Sequence, residues 1–278
     1  MASRDFSPFD EAPWFRGGPG KLGPAALVPT MLSHETQLLL HWLGAHWLTG
    51  TGAVVDLGSF LGGPLARVAQ GLAEAGLEPP LHAFDRFTTT EHHKKTLLYP
   101  AGIAPFAGQH SESAVARLLA PWDRHLTLHK GEIGTEEWEG GPIELLIVDA
   151  AKSTATMDAI AGTFYPELLP EAVLVFVDAF HWRQPWVTVQ IARLGDHVSP
   201  LAHITNHTLV VRMNRPPAPA AIATARTDGL SDAALIAGIA EAHPLFAAYG
   251  EEERMLDMAA AIERAPGVRR SWDLTPPP

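Results

Sequence analysis

The chain has 278 residues, enough for one large domain with extensions or for two small ones. Its formal net charge of -11 disfavours generic electrostatic binding to nucleic acid or to an anionic membrane, and the absence of cysteine removes disulfides, thiolate metal sites and cysteine nucleophiles. No apolar run is long enough to span a bilayer, and Met1 is followed by Ala2, Ser3, Arg4 and Asp5 rather than by an apolar signal core. A soluble, cytoplasmic protein that meets neither nucleic acid nor membrane is therefore expected.

Residues 1–32 are rich in Gly and Pro, with Phe6, Phe9, Trp14 and Phe15 interspersed. They predict an irregular arm whose aromatics are buried against the domain or against a partner subunit. Ser33 reads as a helix N-cap, and Leu38, Leu39, Trp42, Leu43 and Trp47 then recur at helical spacing. Residues 53–57 are a short strand ending in the Gly-rich turn Gly58-Ser59-Phe60-Leu61-Gly62-Gly63. Pro64 suits the first position of the helix that follows, to about residue 75. A second strand covers 81–84 and ends at Asp85. After it comes a long polar connection, 86–108, and a helix over 112–119. Strands follow at 126–128, at 143–148 before Asp149, and at 172–177 before Asp178, with a helix over 156–168 between the last two. A helix over 184–194 and strands at 202–205 and 208–213, paired around Asn206-His207, complete the pattern. Beyond Met213, Pro216, Pro217 and Pro219 mark a linker, and an Ala-rich helical stretch runs to about 265. Strands alternating with helices imply a doubly wound, mostly parallel seven-stranded α/β sheet. The domain boundaries expected are an arm at 1–32, the α/β domain at 33–214, and a linker with a C-terminal helical extension at 215–278.

In an open α/β sheet, ligands bind beyond the carboxyl ends of the strands. Here those ends carry Asp56, Asp85, Asp149 and Asp178. The turn after Asp56 is neither G-x-G-x-x-G nor a Walker A loop, so it offers no pyrophosphate cradle. Gly58 and Gly62 would let a ligand approach the backbone without meeting a Cβ. Asp85 is placed to accept hydrogen bonds from ribose hydroxyls. That role suits a nucleoside in general, and Glu132 after the third strand would fall near its base. The fourteen histidines show no strong metal spacing: His34-Glu35 lacks a second His four residues after the first, and His125/His129 and His203/His207 fall on strands.

The run from Asp56 to Gly62, acid-x-Gly-x-x-x-Gly, resembles motif I of class I S-adenosylmethionine-dependent methyltransferases. The resemblance implies a Rossmann-like fold that binds this cofactor through Asp56, Gly58, Ser59, Phe60, Gly62, Gly63, Asp85, Glu132 and Asp149. Asp149-Ala150-Ala151-Lys152 and Asp178-Ala179 are similar to the motifs of the catechol and caffeoyl-CoA type O-methyltransferases, and the macrocin-type enzymes show a similar pair of strand-end acids. In the catechol type two aspartates and an asparagine hold magnesium and a lysine helps deprotonate the acceptor. The resemblance thus implies Asp149 and Asp178 as metal ligands, Lys152 and Asp149 as catalytic groups, and methyl transfer to the hydroxyl of a small-molecule acceptor. It spans about residues 51–213. Ala179 departs from it, because the family places Asn or Asp there.

A desolvated Lys152 beside a cation would have a lowered pKa and serve as base, with His181 and His110 as alternatives. Lys94-Lys95 would meet an anionic acceptor, or lie in a plain solvated loop. Trp182 and Trp186 would line an acceptor pocket or pack an interface. The aromatic arm and helical tail are compatible with a homodimer. Two other readings stay open: a non-catalytic cofactor-binding or assembly protein, and an NAD-dependent oxidoreductase, for which residues 56–63 lack the pyrophosphate turn.

Overall fold

A computed structural model describes residues 4–16, 18–135, 137–204 and 208–277. Seven strands form one sheet in the order β3-β2-β1-β4-β5-β7-β6: β1 (Ala53–Leu57), β2 (Leu81–Asp85), β3 (Leu126–Lys130), β4 (Ile143–Val148), β5 (Leu168–Phe176), β6 (Val198–Ile204) and β7 (Thr208–Met213). β1, β2 and β3 run parallel, whereas β7 lies antiparallel to both β5 and β6. This is the expected Rossmann-like α/β sheet with an antiparallel hairpin at one edge. The turn expected at Asn206-His207 lies outside the described residues. The α-helices are α1 (Ser7–Glu11), α2 (His34–Trp42), α3 (Gly63–Ala75), α4 (Glu91–His93), α5 (Glu112–Leu118), α6 (Thr154–Phe164), α7 (Pro185–Arg193), α8 (Pro219–Ala225), α9 (Asp232–Phe246) and α10 (Glu252–Arg264). Among the described residues no helix is long and apolar enough to cross a membrane. The chain divides into two compact units.

The first unit comprises Glu11–Glu136 and Gly140–Ile147. Every residue of β1 and β4 is buried, as their near-continuous apolar runs require of strands covered on both faces. Ser33 Oγ caps α2 by accepting from Thr36 N at 3.1 Å, and a π-type turn extends the helix to Trp47. The Glu144 carboxylate accepts from Thr49, Gly50 and Thr51 N–H at 2.8, 3.0 and 3.2 Å, satisfying the backbone that leads into β1. α3 starts at Gly63-Pro64 and stops at Gly76, whose φ of 70° only glycine adopts readily.

The arm departs from the sequence expectation. It is not irregular but a series of short helical turns: α1, a 3₁₀ turn at Pro13–Arg16 and two more within Pro19–Leu27, separated by a kink at Gly23. The 3₁₀ turns open on proline, whose missing N–H costs nothing in a first turn. Trp14 is buried and packs on Trp42 at 5.3 Å. The buried Arg67 guanidinium of α3 holds this region, donating to Val28 O (2.7 Å), Gly63 O (3.1 Å) and Gln37 Oε1 (2.9 Å).

The second unit comprises Met1–Asp10, Glu137–Glu139 and Val148–Pro278. β5 begins at Leu168, four residues before the position read from the sequence, because the stretch through Pro170 and Glu171 pairs despite its poor strand composition. β6 likewise starts earlier, at Val198, and carries an irregularity between Pro200 and Ala202. The C-terminal stretch forms α8, α9 and α10. Asp158 of α6 ties it down, accepting from Thr227 N (2.9 Å), Asp228 N (2.8 Å) and Gln190 Nε2 (2.8 Å) of α7. Farther on, Ser271 N donates to Lys152 O at 2.9 Å and Thr154 N to Arg269 O at 3.2 Å. The last residues thus clamp the segment that follows Asp149.

Candidate functional site

In the first unit the turn after β1 is tightly built. Gly58 has φ 87° and Gly62 φ 83°, so both need glycine for their backbone conformation. Gly58 N and Ser59 N donate to Phe84 O at 2.9 and 3.2 Å, and Gly62 N to Ser59 O at 2.8 Å. The expected reason for Gly62 is corrected here, and Gly63, implied by the resemblance as a cofactor residue, is likewise packed. A Cβ at Gly62 would meet Leu119 at 2.7 Å, and one at Gly63 would meet Thr30 and Pro29 O. The protein's own chain fills the room these glycines leave. Asp56 also differs from its expected place. It is fully buried, and its Oδ2 accepts from the equally buried Ser59 Oγ at 2.7 Å, so it braces the turn from beneath. Gly58 and Phe60 are the members of this turn that remain partly exposed.

Asp85, at the end of β2, holds the turn from outside. Its Oδ2 accepts from Phe60 N at 3.0 Å and its Oδ1 from Phe87 N at 2.7 Å. Phe60 and Phe87 have φ of 51° and 48°, which bulky residues rarely adopt. One carboxylate therefore fixes two left-handed residues on either side of itself. Each of its oxygens has further acceptor capacity for a hydroxyl. Glu132 is exposed and pairs with Arg86 at 3.6 Å.

The connection after β2 is folded on itself rather than open. Thr89 N donates to Gln109 O and Ser111 N to Phe87 O, both at 2.8 Å, which closes the loop at its base. The reading of Lys94-Lys95 as a basic pair for an anionic acceptor is corrected. Lys94 is completely buried, and its ammonium donates to Glu91 Oε1 (2.6 Å), Phe106 O (3.1 Å) and Gly108 O. All three of its N–H bonds are engaged inside the loop. Lys95 is exposed, and so is His110, which bridges to Thr88.

In the second unit, Asp149, Lys152 and Asp178 come together. Lys152 Nζ donates to Asp149 Oδ1 at 2.8 Å and to Asp178 Oδ2 at 3.2 Å. The buried Gln184 completes the set. Assigning its amide with Oε1 toward Lys152 Nζ (3.1 Å) and Nε2 toward Ala151 O (3.2 Å) satisfies both ends, whereas the opposite assignment leaves only Nε2 donating to Asp178 Oδ2 at 3.3 Å. Asp178 reaches the cluster from a left-handed backbone position, φ 60°, which Asp tolerates better than most residues. Burial alone would lower the Lys152 pKa, but Asp149 and Asp178 outweigh it and hold the ammonium above the ordinary lysine value. The expected direction, a lowered pKa, is thus reversed. Gln184 was not anticipated, since nothing in Trp182-Arg183-Gln184 marks it.

His181 Nδ1 accepts from Arg183 N at 3.1 Å, so the neutral ring carries its proton on Nε2. Burial lowers its pKa, partly offset by Asp178 and reinforced by Arg183, Lys152 and Arg254. As placed, its basic nitrogen is engaged by the backbone, which counts against the expected role as base. Trp186 is fully buried with Nε1 donating to Ala151 O at 2.7 Å, and so neither lines an open pocket nor packs an interface. Trp182 is partly exposed under the Arg183 guanidinium, 4.7 Å from its ring centroid. Nearby in sequence to none of these, the Glu251 carboxylate of the extension lies 2.5 Å from His203 Nε2 and 2.7 Å from Arg254 Nε. Among the described residues no three His, Asp or Glu side chains stand together as a metal-binding group.

No protein-family model matches the chain, and no curated protein matches it by sequence. Solved structures are similar to it at low identity. The O-methyltransferase NovP has 13% identity and a TM-score of 0.47, over 65% of this chain and 78% of that one. Cofactor-bound Rv0187 from MTB has 14% identity and a TM-score of 0.46, over 78% of this chain and 100% of that one. The SAH-bound methyltransferase PaMTH1 of Podospora anserina has 10% identity and a TM-score of 0.47, over 76% and 88%. At this degree of likeness neither activity nor site residues carry over to this chain.

Proposed function

We propose that this chain binds S-adenosylmethionine and transfers its methyl group to the hydroxyl of a small-molecule acceptor. The observation that carries the reading is Asp85: a strand-end carboxylate fixed by two backbone N–H groups beside the partly exposed turn glycine Gly58. A rigid carboxylate with remaining acceptor capacity suits a ribose diol, and a glycine turn without a pyrophosphate cradle suits a nucleoside that carries an amino-acid tail. Gly58, Phe60 and Asp85 are the residues proposed to hold the cofactor, with Asp56 and Ser59 bracing the turn and Glu132 toward the base. When bound, the cofactor would supply a methyl group on a sulfonium leaving group.

The chain's own task is to orient the acceptor and take its proton. As the acceptor oxygen forms its bond to the methyl carbon, the carbon–sulfur bond breaks and its electron pair remains on sulfur. The acceptor O–H becomes acidic in the process, and a carboxylate of the Asp149–Asp178 pair is the group proposed to receive the proton. Lys152, with its three donors engaged, positions those carboxylates rather than acting as base. That engagement also favours a second reading, a protein that binds the cofactor without turnover.

Calorimetric titration of the whole chain with adenosylmethionine, its demethylated product and NAD separates these readings. One equivalent of the first two and none of NAD is expected. Binding of NAD alone, or of none of the three, would overturn the proposal. Turnover against a panel of small hydroxylated acceptors then decides between an enzyme and a silent binder.

A further inference from the structure

We propose that the Asp149–Asp178 pair is bridged by the Lys152 ammonium and is not a divalent-cation site, so that the acceptor is recognised through hydrogen bonds to carboxylates rather than by chelation. This rests on the methyl-transfer reading for its functional meaning, but not for its test. The donor set does not fit magnesium. That ion demands near-octahedral oxygen coordination. The position after Asp178, where a third oxygen ligand would stand, is Ala179, a completely buried methyl group with no oxygen to offer. The space between the two carboxylates already holds a cation. Lys152 Nζ lies 2.8 Å from Asp149 Oδ1 and 3.2 Å from Asp178 Oδ2, and with the Gln184 amide assigned so that both its ends are satisfied, Oε1 at 3.1 Å takes the third N–H. An ammonium has three donors, and all three have acceptors here.

The Lys152 ammonium is also held from behind. Its own carbonyl accepts from Ser271 N at 2.9 Å, and the next turn is fixed by Thr154 N donating to Arg269 O. This pairing fixes the backbone from which the Lys152 side chain projects. In that orientation Gln184 Nε2 donates to Ala151 O.

The chemical consequence concerns the acceptor. Two carboxylates against one ammonium leave the cluster with one negative charge. Such a cluster favours an acceptor that presents an O–H or N–H donor and repels an oxyanion. A metal site would instead favour a vicinal pair of oxygens able to chelate. A single hydroxyl is therefore the functional group this cluster fits, without a neighbouring oxygen being needed.

The test is Mn²⁺ binding to the full chain, read by electron paramagnetic resonance. The wild type is expected to show no stoichiometric site below about 1 mM, because two carboxylates already engaged by an ammonium must first lose it. Lys152→Met and, as a second variant of similar length, Lys152→Gln are expected to tighten Mn²⁺ binding by about tenfold or more by freeing the acid pair. Adding Asp149→Asn to either should abolish the gain. Circular dichroism identifies which lysine variant is folded, and the folded one is read. One Mn²⁺ bound by the wild type at micromolar concentration and lost in Asp149→Asn would overturn the proposal. A folded lysine variant that binds Mn²⁺ no better than the wild type would support the proposal through Ala179 alone, the missing third ligand being enough to keep the cation out. Neither readout involves adenosylmethionine, so failure here is distinct from failure of the methyl-transfer reading.

Discussion

Replacing Asp85 with Asn separates the two tasks assigned to this carboxylate. In the structure Oδ2 receives Phe60 N–H and Oδ1 receives Phe87 N–H, at 3.0 and 2.7 Å. An amide keeps one acceptor and turns the other position into a donor that faces an N–H. One charge-assisted hydrogen bond is lost outright and the other becomes neutral. Such bonds are worth about 1.5–3 kcal/mol, and Asp85 is only partly buried, so a loss of about 1–2 kcal/mol is expected. The residues released are Phe60 and Phe87, both held at positive φ, a conformation costing about 1–2 kcal/mol for residues with a side chain. Relief of that strain would show as disorder of the turn rather than as recovered stability. Urea unfolding gives the first number, and calorimetric titration with adenosylmethionine gives the second. Asp85→Asn is expected to weaken cofactor binding at least tenfold, the equivalent of about 1.4 kcal/mol. A variant unchanged in both unfolding midpoint and affinity would refute the reasoning. A variant destabilised but binding the cofactor normally would leave Asp85 as a brace alone.

Lys94→Met keeps the bulk of the buried side chain but leaves Phe106 O and Gly108 O without their donor, so a cost of about 1–3 kcal/mol and faster amide exchange over residues 87–110 are expected. Unchanged exchange would show that the ammonium does not hold the loop. Arg67→Met removes the donors to Val28 O, Gly63 O and Gln37 and should cost about 2–4 kcal/mol, with cleavage of the arm in limited proteolysis; a protease-resistant arm would mean that its aromatics suffice. Burial, with a further contribution from His129, lowers the His82 pKa from 6.5 to about 4. The native state thus binds fewer protons than the unfolded one between those values, so this contribution to stability is present above pH 6.5 and is lost as pH falls toward 4. Discounted for partial solvent access it amounts to about 1–2 kcal/mol, and His82→Phe should flatten that limb of the stability curve relative to the wild type. Parallel curves for the two proteins would contradict it.

The sheet was readable because parallel strands buried on both faces leave near-continuous apolar runs, as in Val54-Val55 and Leu145-Leu146-Ile147-Val148. Asp85, Asp149 and Asp178 were readable too, since each stops such a run, whereas Asp56 lies within β1 and is followed by Leu57. What each acid does was not. Asp56 lies under the turn because Ser59 bends back to it, and Asp85 is engaged by Phe60 and Phe87, contacts that depend on backbone angles no residue pattern announces. The long polar connection looked solvated because Lys94 finds acceptors twelve and fourteen residues away, at carbonyls that carry no side-chain signature. Gly62 is explained by Leu119, and Lys152 by Gln184 and Ser271, all distant in sequence. The arm misled for another reason: Gly and Pro exclude long helices and sheets, but they allow short 3₁₀ turns.

The most direct test of the account is a crystal structure of the chain grown with S-adenosylmethionine. The account predicts ribose hydroxyls within hydrogen-bond distance of Asp85 and the amino-acid tail against the backbone of Gly58. A ligand bound away from both residues, or crystals that stay free of it at saturating concentration, would contradict the account.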